Sequence, residues 1–274
     1  MFTYLNPAVR DQLIAEDKLI RIDEDGVRID PDAEPAAGRR TLNLLGPIPL
    51  PLARGSHHPT ARWYAAVRST ELHEVEHLAD TLRERGGQHL FSQLASSMAV
   101  NSVLVIGEPD SAEAPLVRVH SSCLTGDVFG SRRCECGPQL EAAIDRLAED
   151  PQGGYLVYMA GHEGRGIGLW AKAATYLLQD TGEDTYQANR SLGLPDDSRD
   201  FSDAATLLRY FGQGRKLRLM TNNPKKLADL TAHGVPNIER VKHVSGVDEC
   251  NLRYLNAKRE WGHRIDEDDL GERP

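Results

Sequence analysis

Residues 115–161 read PLVRVHSSCLTGDVFGSRRCECGPQLEAAIDRLAEDPQGGYLVYMAG, and their hydrophobic pattern is the plainest guide to the architecture. PLVRVH (115–120) and YLVYMAG (155–161) are short runs rich in β-branched and aromatic residues, the pattern of strands. Between them PQLEAAIDRLAED (138–150) sets Leu140, Ala143, Ile144 and Leu147 on one helical face, with Pro138 in the first turn. Strands alternating with helices in this way specify an α/β (or α+β) fold, a mixed sheet with flanking helices.

The same alternation continues towards the C-terminus. GIGLWAKAATYLLQDTG (166–182) reads as a helix closed by Gly182, and FSDAATLLRYFG (201–212) as a helix capped by Ser202. KLRLMT (216–221) and IERVKHV (238–244) read as strands. Between them lies a helix with Pro224 in its first turn and Gly234 past its end, and residues 249–262 form a closing helix. Upstream, SVLVIG (102–107) is another strand. LIRIDEDGVRID (19–30) is a hairpin about Asp25-Gly26, and NPAVRDQLIAEDKL (6–19) a helix capped by Asn6 with Pro7 in its first turn. Residues 31–60, rich in Pro, Gly and Ala, read as loop or linker. In 69–87, Leu72, Val75, Leu78, Ala79 and Leu82 share a helical face that ends at Gly86-Gly87. The expected division is an N-terminal extension (1–99), a catalytic domain (100–264) and a polar tail (265–274).

Composition narrows the function classes. The chain has 274 residues, a net charge of −9 and a pI near 5.6, which argues against a nucleic-acid polymer as partner. A local basic pocket for a small anion remains compatible with that balance. No apolar run is long enough to span a membrane, and the N-terminus lacks a basic leader followed by an apolar stretch. Four unevenly spaced cysteines do not form a secreted disulfide framework, so a cytoplasmic setting is expected.

Three of those cysteines, Cys123, Cys134 and Cys136, fall in one segment with C-x10-C-x-C spacing. Three thiolates suit zinc and leave one position for water, the arrangement of catalytic rather than structural sites. Zinc brings the pKa of such a water towards neutrality. The alternative is a set of buried or redox-active cysteines. Cys250, in the closing helix, reads as an ordinary core or surface thiol. Arg118, Arg132 and Arg133 flank the cluster and would favour thiolates and attract an anion. His57, His58, His73 and His77 read as a solvated surface rather than a metal site, although HEVEH (73–77) has the H-E-x-x-H form of a zinc-binding helix.

Other stretches carry chemistry of their own. In GHEGRGIGLW (161–170), glycines around Arg165 let the backbone approach a ligand at a helix N-terminus. Glu163 could accept from the ring N–H and amino group of guanine. Lys225 and Lys226 in TNNPKK open a helix and suit phosphate, or else form an exposed basic turn. LGLPDDSRDF (192–201) reads by itself as a solvated loop.

Taken together, RVHSSCLTGDVFGSRRCECGPQLEAA, GHEGRGIGL, YLLQDTGEDTYQAN, LGLPDDSRDF, LMTNNPKK and RYLNAKREWGH resemble, in order, the blocks of the GTP cyclohydrolase II family over about residues 100–262. The resemblance implies a homodimeric enzyme that opens the guanine imidazole ring of GTP at C8 and releases formate and pyrophosphate, at the start of riboflavin synthesis. It implies zinc on Cys123, Cys134 and Cys136, and magnesium with the triphosphate. Tyr176 matches the family's active-site tyrosine, Asp197 its proton acceptor and Arg199 its nucleophile towards the α-phosphorus. Nucleotide contacts are implied for Arg118, Val119, His120, Ser121, Gln139, Glu163, Gly164, Arg165, Thr185, Thr221 and Lys226. Ser122 stands where the family pattern has glutamate. That departure admits a paralogue acting on another nucleotide, as in uracil catabolism, or one stopping at a formamidopyrimidine. A non-catalytic nucleotide-binding protein is a further reading, against which the retained cysteines, Tyr176, Asp197 and Arg199 weigh.

Overall fold

The computed structural model describes residues 7–33, 38–53, 58–75 and 98–271. Helix α1 (Pro7–Ala15) leads into the expected hairpin, β1 (Leu19–Asp23) pairing antiparallel with β2 (Arg28–Ile29). Gly26 turns it with φ 74°, and a Cβ there would stand 2.6 Å from the Tyr210 backbone nitrogen. The meander continues through β3 (Thr41–Pro51) and β4 (Thr60–Arg68).

Strand β3 overturns the reading of 31–60 as loop or linker. Thr41, Leu42, Asn43 and Leu44 are buried; residues 41–45 pair with β1 on one side, and 42–45 with β4 on the other. Pro47, Pro49 and Pro51 lie beyond the end of β1, where no neighbour among the described residues on that side needs their missing N–H groups. The register with β4 shifts between Leu45 and Ile48 to accommodate them.

Residues 69–75 are helical, with Val75 buried. The remainder of that expected helix, including Leu78, Ala79, Leu82 and Gly86-Gly87, lies outside the described residues, as do Asn6, His57 and His77. His58 and His73 are exposed. Strands β5 (Asn101–Ile106), β6 (Leu116–Ser121), β7 (Gly154–Met159), β8 (Leu217–Met220) and β9 (Ile238–Val241) complete a nine-stranded sheet among the described residues, in the order β2-β1-β3-β4-β5-β7-β6-β8-β9. From β2 to the β5–β7 junction neighbours are antiparallel; β7, β6, β8 and β9 are parallel. The mixed sheet with flanking helices is thus as expected.

Helix α2 (Cys136–Glu149) covers one face, packing Leu140, Ala143, Ile144 and Leu147 on Leu116, Leu156 and Met220. On the other face lie Val117, Val119, Tyr155 and Val157, under helices contributed by the chain beyond β7 and β8. Burial on both sides explains the near-continuous apolar strands. Helix α3 (Gly168–Asp180) comes after the glycine-rich segment, and α4 (Thr185–Ser191) after α3. The sequence pattern gave no helix at α4, although Asp184 and Gln187 form a capping box at its start. Helices α5 (Ser202–Gly212) and α6 (Pro224–Ala232) supply Leu207, Leu208 and Leu230 to the second face. Ser202 is not the cap of α5: it lies inside the helix, and its N–H donates to Asp200 Oδ1 at 2.9 Å. Asn223 caps α6, accepting from the N–H groups of Lys225 and Lys226. The closing helix, α7 (Leu252–Glu260), is shorter than expected, and Cys250 is an exposed thiol ahead of it. No helix among the described residues is long and apolar enough to cross a membrane.

Candidate active site

The four parallel strands end on one side of the sheet. The chain leaving each of them contributes to a single cavity: Ser121–Cys123 after β6, His162 and Gly164 after β7, Thr221–Asn223 after β8 and His243 after β9. Ligand sites in open α/β sheets lie outside such carboxyl ends. Helices α3, α4 and α7 add Tyr176, Thr185 and Lys258 to the wall.

At one end stand the three cysteines. Their sulfurs lie within 4.8 Å of one another, with Cys123 and Cys134 at 3.7 Å. The loop between them packs so closely that a Cβ on Gly126 would sit 3.0 Å from Cys134 Sγ and 3.2 Å from Cys123 Sγ. Glycine is the residue that leaves room for the cluster. Cys123 is drawn down to the thiolate by hydrogen bonds from Cys134 and Cys136, aided by Lys172. By donating to it, Cys134 is pushed up to about 12, and Cys136 also lies well above its usual value. Three soft donors, two of them buried, converge at a cavity wall without disulfide pairing, and this set fits zinc.

Lys172 was not singled out from the sequence. Its Nζ donates to Cys123 Sγ at 3.1 Å and to Glu163 Oε1 at 2.6 Å. The other Glu163 oxygen accepts from Leu124 N at 2.6 Å. Glu163 therefore braces the cysteine loop and does not line the cavity. The available signal was the i, i+4 spacing of Lys172 and Tyr176, which puts both on one face of α3. Tyr176 points its hydroxyl at Thr125 Oγ1, 3.1 Å away. Burial raises its pKa, so the phenol keeps its proton. Arg133 lies over the Tyr176 ring, 4.9 Å from its centroid.

The rest of the wall is cationic. Arg118 donates to Met220 O at 2.9 Å and to Gln139 Oε1 at 2.7 Å; burial brings its pKa down to about 10. Lys226 donates to Val119 O at 2.6 Å, and burial, with Arg118, Arg199 and Lys258 nearby, lowers it well below the usual lysine value. Val119 itself is fully buried and meets the site only through this carbonyl. Arg165 adopts a left-handed conformation (φ 64°), lies 3.9 Å from the Tyr186 ring centroid and leaves Nη2 buried without a hydrogen-bond partner among the described residues. Strain of this kind persists where the surroundings impose it, typically at functional sites.

His120 lines the cavity, but its Nε2 faces the Asp127 carboxylate at 3.1 Å. Thr221 is buried and accepts from Asn223 N at 3.1 Å. The 192–201 segment is a loop, yet Asp197 and Arg199 are mostly buried in it. Arg199 grips Asp197 through Nε (2.9 Å) and Nη2 (2.6 Å). Burial raises Asp197, but the hydrogen bonds and charge of Arg199 outweigh it and bring the carboxyl to about 2. Arg199, Gln139, Gly164, Arg165, Thr185, Thr221, Lys226, Arg118, His120, Ser121, Tyr176 and the cysteines line one cavity; Asp197 joins them through Arg199. Also unforeseen were His162 and the Glu135–Lys258 ion pair at 2.5 Å, which ties α7 to the cysteine loop.

Comparison with known proteins agrees with this geometry. The family model described as GTP cyclohydrolase II matches residues 79–242. The chain is 50% identical over 173 residues to a riboflavin biosynthesis protein RibBA of Nocardia farcinica, covering 62% of this chain and 41% of that one. It is 48% identical over 177 residues to the Salinispora arenicola protein of the same name, covering 64% and 42%. With the Mycolicibacterium gilvum RibBA the identity is 53% over 151 residues, covering 55% and 35%. The chain thus spans about two fifths of the length of these relatives. Since the family match runs through more than half of the chain, from before β5 to the end of β9, this protein belongs to the GTP cyclohydrolase II family.

Proposed function

We propose that the protein opens the imidazole ring of GTP at C8, using zinc, and releases formate and pyrophosphate to leave a diamino-ribosylamino-pyrimidinone phosphate, the first step of riboflavin synthesis. The observation that carries this reading is the meeting of a three-thiol cluster with the buried cations Arg118 and Lys226 and the partly buried Arg165 and Arg199 around one cavity. A metal-assisted hydrolysis and a polyanionic substrate require those two features together.

Cys123, Cys134 and Cys136 would hold the ion, which when bound supplies Lewis acidity and an acidified water. Tyr176 retains its proton and can donate it to the nitrogen that leaves C8. Arg165 and Lys226 bind the phosphates, with magnesium arriving on the triphosphate itself. Arg199, fixed by the ionised Asp197, completes the cationic wall at the phosphate end. We further propose a homodimer in a reducing, cytoplasmic setting. Trp170 (91% exposed) and Leu177 (70% exposed) form an apolar stripe with Ala173 on the outer face of α3, a surface suited to a second copy.

The zinc-loaded protein, given GTP and magnesium, is expected to yield formate, pyrophosphate and the pyrimidine product by mass spectrometry. Cys134→Ser should lose both zinc and ring opening; ring opening at the parent rate without zinc would refute the assignment. One observation favours a second reading, turnover of another nucleotide. Ser122 donates to Ala160 O at 2.9 Å and Glu163 is engaged by Lys172, so neither offers a free carboxylate to guanine. A nucleotide panel in the same assay separates the two: turnover of a non-guanine triphosphate in preference to GTP selects the second.

A further inference from the structure

Tyr186, in the first turn of α4, is buried between two planar groups. The Arg165 guanidinium lies 3.9 Å from its ring centroid, and the Trp261 ring lies 4.2 Å away at an interplanar angle of 19°. Two groups at van der Waals distance from one six-membered ring cannot share a face, so the phenol is sandwiched between them. Trp261 directly follows α7. Arg190, in the last turn of α4, lies 4.7 Å from the Trp261 ring centroid. Arg190 in turn grips Asp196 through Nε (2.7 Å) and Nη2 (2.6 Å). Arg165, Tyr186, Trp261 and Arg190 thus form one stack that runs from the cavity wall to the surface.

The stack shows what holds Arg165 in place. A residue other than glycine keeps a left-handed backbone only where its surroundings impose it. One restraint acts on the main chain, where Ser198 N donates to Arg165 O at 3.0 Å. The other acts on the side chain, through the Tyr186 ring. A flat guanidinium suits an aromatic face, and that contact leaves its N–H edge clear. Arg165 lines the cavity, and its Nη2 is buried with no hydrogen-bond partner among the described residues. The neighbouring cations are held differently: Arg118 and Lys226 donate to backbone carbonyls, and Arg199 to Asp197. Stacking orients Arg165 without using up that donor, which an anion can then engage.

We propose that Tyr186 and Trp261 are positioning residues for polyphosphate binding: they hold the Arg165 guanidinium at the cavity with its N–H edge open to the substrate's phosphates. This rests on the polyanionic substrate of the reading above and is independent of the base that substrate carries. Neither ring lines the cavity, so both act through the cation. Trp261 is the keystone. It backs Tyr186, and it meets Arg190, whose grip on Asp196 ties α4 to the 192–201 loop. That loop carries Arg199 and its Asp197 partner. A change at Trp261, outside the cavity, therefore reaches two of its cations.

The test uses the full chain, zinc-loaded, with magnesium, and two probes titrated separately by calorimetry: inorganic tripolyphosphate and guanosine. Tyr186→Leu should weaken tripolyphosphate binding about tenfold or more and leave guanosine binding within about twofold of the parent. Trp261→Ala should weaken tripolyphosphate about fivefold, while Trp261→Phe, which keeps an aromatic face, stays within about twofold of the parent. With GTP as substrate both losses should raise KM more than they lower kcat. Trp261 is 43% exposed, so its replacement leaves the core closed, and the Trp261 pair carries the test if Tyr186→Leu fails to fold. Unchanged tripolyphosphate affinity in Trp261→Ala, equal losses for guanosine and tripolyphosphate, or a Trp261→Phe as weak as Trp261→Ala overturns the proposal. So does a parent chain without affinity for tripolyphosphate. A parent that binds tripolyphosphate and shows these variant effects, yet does not turn over GTP, overturns the GTP reading and leaves the role of the stack intact.

Discussion

From β2 to β5 the sheet is a meander of antiparallel strands, whereas β7, β6, β8 and β9 run parallel. Antiparallel neighbours end on alternate sides, so their loops are divided between the two ends of the sheet. Parallel neighbours all end on the same side, and four loops meet there. The charges differ accordingly. In the meander, cations mostly sit in exposed or half-buried pairs, such as Arg21 with Asn43 and Arg10 with Asp32. At the parallel ends Arg118 and Lys226 are buried, and the partly buried Arg165 keeps a buried nitrogen without a partner among the described residues. Buried cations lacking carboxylates are costly to the fold and useful to an anionic ligand. One half is built to be stable and the other to bind.

That contrast can be broken most sharply at Tyr176, which belongs wholly to the parallel half. Tyr176→Phe should lower kcat about a hundredfold with little change in KM or in urea stability. A large KM effect instead would make the phenol a binding group. Arg68 tests the seam between the halves, since from β4 it grips Asp203 at 2.8 Å and Asp200 at 2.8 Å across the second core face. Asp203 is buried, while Arg68 is about a third exposed and Arg40 remains 3.5 Å from the same carboxylate. Arg68→Ala should therefore cost about 2 kcal/mol in urea unfolding, below the loss for a fully buried pair. It should also reduce kcat about tenfold by loosening Asp200, and an unchanged kcat would show that the seam carries stability alone.

A third test sharpens the comparison through pH. Around the parallel ends, burial lowers His162 to about 4 and His243 and His263 to about 3. The folded state then binds fewer protons than the unfolded chain, whose imidazoles titrate near 6.5. This contribution is fully present above about pH 6.5 and is lost as pH falls towards the folded values. The loss is at most about 1.4 kcal/mol per pH unit for each imidazole. Unfolding free energies at pH 7 and pH 5 measure it; a flat profile would mean that these rings admit protons when folded.

The parallel half, α4 apart, was legible in the sequence because its other strands and helices mostly carry a period and a punctuating Pro or Gly. The cysteine cluster was legible for the same local reason: three ligands fall within fourteen residues. What escaped was set by contacts between distant residues. His162 is fixed at the cavity by Ser121, on another strand, and by the Asp200 carbonyl. Lys172 reads as one more charge on a helix until Cys123 stands beside it. Glu163 illustrates the converse, a carboxylate whose motif pointed to the base of a nucleotide and whose oxygens brace the cysteine loop. Strand β3 was hidden by its prolines, since nothing local reveals that β1 stops short of them.

The pairing of β4 with β5, Arg62 opposite Val105 through Ala66 opposite Asn101, has a practical consequence. A shortened chain starting near residue 100 would leave β5 with a row of unpaired N–H and C=O groups along an apolar strand. Such a rim recruits any strand that meets it, most readily the same rim on another copy. The meander acts, in this sense, as a permanent cover on the sheet that carries the chemistry.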